Sequence, residues 1–81
     1  MRVHLQRDIE KLKRRLLALG TEVEEDVRLA VRALADRDED LARQVMVREA
    51  QTNTMEVDVE EDCLKILALH QPVAGDLRQI I

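Results

Sequence analysis

Residues 55–63 read MEVDVEEDC: five acids in nine positions, with no base among them. The first five letters alternate apolar and charged, as a half-buried strand would. The neighbours decide otherwise. Met55, Val59, Cys63 and Ile66 are spaced by four, four and three, which is the period of one helix face. The alternation dies out after five letters, whereas the helical stripe continues on both sides. The stretch is predicted to be helix, with Val57 on a flank.

Working outward, the same stripe runs Leu41, Val45, Met55, Val59, Cys63, Ile66 and His70. Its middle, REAQTNT, puts Arg48 and Thr52 where apolar residues are expected, which predicts a thin stretch of core there. Upstream, Leu5, Ile9, Leu12, Leu16, Leu19, Val23, Val27, Ala30 and Leu34 trace one long stripe. A first helix of about thirty residues follows, roughly 45 Å long at 1.5 Å per residue. Gly20 lies inside it at a cost of about 1 kcal/mol against alanine. Either a neighbouring helix approaches closely there, or the position is a tolerated weak spot. ADRDED, residues 35–40, breaks the pattern. Asp36 or Asp38 can accept the free amides of a second helix, and Glu39 and Asp40 suit the positive end of its dipole. LHQP ends that helix, since proline disfavours helical geometry for the residue before it and suits the first position of a new helix. Val73, Leu77, Ile80 and Ile81 begin a third stripe. The expected fold is all-α: helix 1 over about 3–35, helix 2 over about 39–70, and the start of helix 3 over about 72–81, together one helical domain over 1–81.

Composition bounds what such a chain does. It has 81 residues, no Phe, Tyr or Trp, two glycines and one proline. A domain this small has little core to spare. Net charge is −4, yet the distribution is uneven. Residues 1–15 hold six bases against two acids, and residues 21–62 hold fourteen acids against five arginines. A basic end can touch an anionic membrane or an acidic partner, and more often is a solvated helix face. The acidic body and the absence of aromatics argue against nucleic-acid binding. The longest apolar runs, LLAL and ILAL, are far below a bilayer span. The charged start lacks the apolar stretch of a signal peptide, and the lone Cys63 has no partner for an internal disulfide. The simplest reading is a soluble protein of a reducing compartment.

Chemistry has few footholds. No serine occurs, no glycine-rich phosphate loop is present, and no nucleophile has a base beside it. His4 and His70 form no metal-binding spacing. His70 suits the negative end of helix 2, and Cys63 reads as a small core residue rather than a reactive thiol. Glu49, Glu56 and Glu60 share one side of helix 2, and Asp58 and Asp62 another. A solvated acidic face explains them. A metal site would need oxygens from a second helix, and EVEED, residues 22–26, supplies them only if it faces Glu56. No catalytic residue, metal site or cofactor is assigned.

DEDLARQV, followed by NTMEVDVEEDCLKILALHQPVAGDLRQII, resembles the first half-repeat of the PhoU family. Asn53, Glu56, Glu60, Glu61, Cys63, Gln71, Pro72, Ala74, Asp76, Leu77 and Arg78 carry the resemblance, and Gly20, Val23 and Glu24 fit the family's first helix. It covers nearly the whole chain. Thr52, where an aliphatic is usual, and His70, where a base is usual, depart from the pattern. The resemblance implies a cytoplasmic, non-catalytic regulator built from three-helix repeats. Such regulators damp phosphate uptake and signalling through a phosphate ABC transporter and a sensor kinase. Family metal clusters depend on an acid-x-x-x-Asp motif that would fall beyond Ile81. Gln71, Pro72, Asp76 and Arg78 are the expected interaction residues. The apolar residues exceed what a hairpin can bury, so a homodimer is expected. A carboxylate metal-binding protein and a plain dimeric coiled-coil module are the alternatives.

Overall fold

The computed structural model describes residues 2–70, with side chains from His4 onward. Two helices, α1 (Arg2–Asp36) and α2 (Glu39–His70), fold back on one another as an antiparallel hairpin. The chain is all-α as expected, and MEVDVEEDC lies wholly inside α2. The predicted start of a third helix at 72–81, and with it Gln71, Pro72, Asp76 and Arg78, lies outside the described residues.

The turn consists of Arg37 and Asp38. Arg37 has φ 52°, in the left-handed region that ends helices. Its amide donates to the Leu34 carbonyl at 3.3 Å, and the Asp38 amide donates to the Ala33 carbonyl at 2.9 Å. That pair of bonds satisfies the last carbonyls of α1 and stops it. Of the two candidate caps, Asp38 is the one used: its Oδ1 accepts from the Leu41 amide at 3.0 Å. Glu39 and Asp40 then occupy the first turn of α2.

α1 runs unbroken through Gly20, and a Cβ added there would meet nothing within 4 Å. Within the hairpin no helix approaches Gly20, so its cost stands unrelieved.

The phase of the seam departs from the apolar stripe. The residues of α1 turned toward α2 include Leu5, Asp8, Leu12, Leu19, Glu22, Asp26, Leu29 and Ala33, with Arg15 reaching across. From α2 come Leu41, Val45, Arg48, Thr52, Met55, Val59, Asp62 and Ile66. Spacings of three and four alternate on both helices, the period of a two-helix seam. Ile9, Leu16, Val23, Val27 and Leu34 lie outside it and are exposed, Leu34 by 79%. Cys63, expected in the core, is exposed because Asp62 takes the seam position beside it. Among the described residues only Leu19 and Ala33 are buried apolar side chains. A hairpin this thinly cored leaves an apolar flank along α1 open for another element.

Candidate functional site: a polar node and the groove beside it

Arg48 and Thr52 do not thin the core; they build a polar node in it. Asp26 and Thr52 are the two most buried side chains of the hairpin, 3% and 4% exposed. The Thr52 hydroxyl donates to Asp26 Oδ2 at 2.6 Å, and Arg48 Nε donates to Asp26 Oδ1 at 2.9 Å. Arg48 Nη2 also donates to Glu22 Oε2 at 3.0 Å. Glu22 and Asp26 are four apart on α1, and Arg48 and Thr52 four apart on α2, so two helical turns face two helical turns. Both carboxylate oxygens of Asp26 are satisfied, and among the described residues no buried side-chain polar atom lacks a partner. The Thr52 hydroxyl, against the opposing effect of burial and with help from Arg48, holds the Asp26 carboxyl below its ordinary value of 3.8.

Two more cross-helix pairs continue the seam toward the open end. Arg15 pairs with Asp62, and His70 Nε2 lies 3.3 Å from Asp8 Oδ2. His70 therefore reaches across to α1 as well as ending α2.

Beside the node runs a groove of about 550 Å³. Val23, Val27 and Ala30 form its α1 wall, and Met46, Glu49, Asn53 and Glu56 its α2 wall. Asp26 and Glu56 thus do line one groove, which EVEED left open in sequence. Among the described residues no three His, Cys, Asp or Glu side chains come together as a metal cage. Asp26 is already saturated by a cation and a hydroxyl, so it is poorly placed as a proton acceptor. An open trough with one aliphatic wall and one carboxylate-bearing wall suits a helix better than a small substrate. Asn53 and Glu56, singled out by the sequence pattern, sit in this groove. The sequence reading weighed Glu22 and Asp26 only as possible metal oxygens and missed their place in the seam, because an acid inside an apolar-periodic helix is read as surface. The available signal for Glu22 was that Asp8, Arg15 and Glu22 recur at sevens.

No described helix is long and apolar enough to cross a membrane. No solved structure matches the chain at a significant level. Among curated proteins it is 47% identical over 74 residues to the phosphate-specific transport system accessory protein PhoU homolog of Pseudomonas aeruginosa. That match covers 91% of this chain and 31% of the relative. It is 34% identical to the Escherichia coli accessory protein PhoU, again over 91% of this chain and 31% of the relative. The Aquifex aeolicus homolog is 34% identical over 95% of this chain and 35% of its own length. The chain spans about a third of the length of these relatives. The family model described as PhoU domain matches residues 16–81, which contain the turn, the node and the groove, and the chain belongs to that family.

Proposed function

We propose that this chain serves as part of a non-catalytic, cytoplasmic regulator of phosphate uptake and phosphate-starvation signalling. The observation that carries the reading is the PhoU domain match over 16–81, together with relatives named as accessory proteins of phosphate-specific transport. The relatives' name points to a transporter as one partner, and a sensor kinase is the proposed second. The open apolar flank of α1 and the groove beside the node support action by helical contact, including contact with a second copy. The hydroxyl–carboxylate pair that lines the groove, Thr52 and Asp26, is buried and tied to Arg48, which favours a binding role over a catalytic one. Gln71, Pro72, Asp76 and Arg78 are proposed to present part of the contact surface.

The test is a cell lacking the gene that encodes this chain, grown with abundant phosphate. Phosphate uptake and a phosphate-starvation reporter should both rise, and the intact gene should restore repression. Versions carrying Gln71→Ala or Arg78→Ala should fold with normal helicity yet restore repression poorly. Uptake and reporter levels indifferent to the deletion would remove the regulatory reading altogether.

A further inference from the structure

The charged residues of the seam repeat at intervals that the apolar residues cannot tell apart. Asp26 faces Thr52 and Arg15 faces Asp62, and Leu12 and Ile66 line the same stretch of seam. In each pair the two residue numbers sum to 77 or 78, which defines one register for the antiparallel helices. Because the seam recurs every seven residues, a slip of seven returns seam positions to seam positions. Leu12 would then meet Val59, or Leu19 would meet Ile66, so each slip still offers an aliphatic layer.

We propose that Asp26, Arg15 and Asp62 fix the register of the hairpin by making both one-heptad slips unfavourable. In one slip Asp26 faces Val45 and Asp62 faces Asp8. In the other Asp26 faces Val59 and Asp62 faces Glu22. Either way, Asp26 loses the hydroxyl opposite it, and Asp62 exchanges a guanidinium for a carboxylate. A buried carboxylate that loses a hydrogen-bond donor is disfavoured, and like charges across a seam repel. An aliphatic residue at 26 would make the layers interchangeable, as coiled coils without a buried polar residue lose their choice of register. The turn contributes as well, since a slip of seven moves it three or four residues away from Arg37 and the Asp38 cap. Register matters to the groove, because it alone sets Val23 and Val27 against Asn53 and Glu56.

Disulfide trapping in the full chain with Cys63→Ala tests this. Leu19→Cys with Val59→Cys reports the native register. Leu12→Cys with Val59→Cys, and Leu19→Cys with Ile66→Cys, report the two slips. With the natural seam, the native pair should dominate the intramolecular product. The decisive variant exchanges Arg15→Asp and Asp62→Arg in an Asp26→Leu background. The exchange preserves the native ion pair and leaves the turn untouched, yet turns both slipped pairings of residue 62 from repulsive to attractive. Slipped products should rise about fivefold over Asp26→Leu alone. Equal slipped yields with and without the exchange would overturn the proposal. Should Asp26→Leu lose the wild-type helical signal, the exchange is read in the natural seam by the same criterion.

Discussion

The Thr52 hydroxyl reaches the Asp26 carboxylate across the hairpin at 2.6 Å, and both side chains are shut away from water. Such a hydrogen bond to a charged group contributes more than a neutral one. Thr52→Val keeps the shape of the side chain and removes the donor. One oxygen of a buried carboxylate then has no partner. We expect a loss of about 2 kcal/mol in unfolding free energy, read from urea denaturation of the two proteins side by side. An unchanged midpoint would mean that water replaces the hydroxyl and that the node is open.

The same carboxylate makes the hairpin acid-sensitive. Its folded-state pKa lies below the ordinary 3.8, chiefly because of Thr52, with burial opposing and Arg48 assisting. A depressed carboxyl contributes stability that is present above the unfolded value and lost as pH falls through the folded one. Stability should therefore decline as pH drops below about 4. Asp26→Asn cannot titrate, so its stability should fall less steeply there. Glu25 is lowered as well, chiefly by its hydrogen bond from Arg28, and Asp26→Asn removes a small opposing effect of the Asp26 charge on it. Parallel pH profiles for the two proteins would show that Asp26 does not drive the acid limb.

Two backbone positions work against the fold and can be improved. Gly20 lies mid-helix with open space where a Cβ would stand. Gly20→Ala should add about 1 kcal/mol, the helix-propensity difference. Arg37 is held at φ 52°, where glycine is at ease and an L side chain costs about 1 kcal/mol. Arg37→Gly should therefore stabilise the turn by a similar amount, less what glycine gains when unfolded. Thermal melts of each variant and of the pair are the check, and the two gains should add because the sites are far apart. A lower melting temperature for Gly20→Ala would reveal a neighbour packed against residue 20.

How much of this was legible in the sequence depends on what wrote each feature. Helix and turn are written locally. Met55, Val59 and Ile66 share a face that no strand register allows, and Asp38 with Glu39 and Asp40 spells a helix start. The phase of the seam is written by pairs distant in sequence. Reading apolar letters alone places Ile9, Leu16, Val23 and Val27 in the seam, whereas the helices meet through Asp8, Arg15, Glu22 and Asp26. The buried Asp26 is tolerable only because Thr52 and Arg48 stand opposite, the half-exposed Asp8, Arg15 and Glu22 each find a complementary residue of α2, and one strand of sequence does not display such partners. Cys63 went astray for the same reason, displaced by Asp62. The groove inherits this: Asn53 and Glu56 were visible as a pattern, but their apposition to Val23 and Val27 appears only once the register is known.

The last prediction concerns what covers the flank. Val27 is 58% exposed and Leu34 79%, in a hairpin whose only buried apolar side chains among the described residues are Leu19 and Ala33. Burying one large aliphatic side chain contributes about 1.5–3 kcal/mol. Several left in water would forgo most of the 5–15 kcal/mol that is usual for a small domain. A second copy is the simplest cover available to the isolated chain, since two hairpins packed face to face close a four-helix core. Light scattering coupled to size exclusion should then give twice the 9.4 kDa chain mass at micromolar concentration, and the melting temperature should rise with concentration. Val27→Glu with Leu34→Glu adds charge to the flank and leaves the seam untouched, so it should shift the chain toward one-chain mass and lower its melting temperature. A folded species of one-chain mass, with a melting temperature independent of concentration, would show that the hairpin stands by itself and that the flank serves another partner.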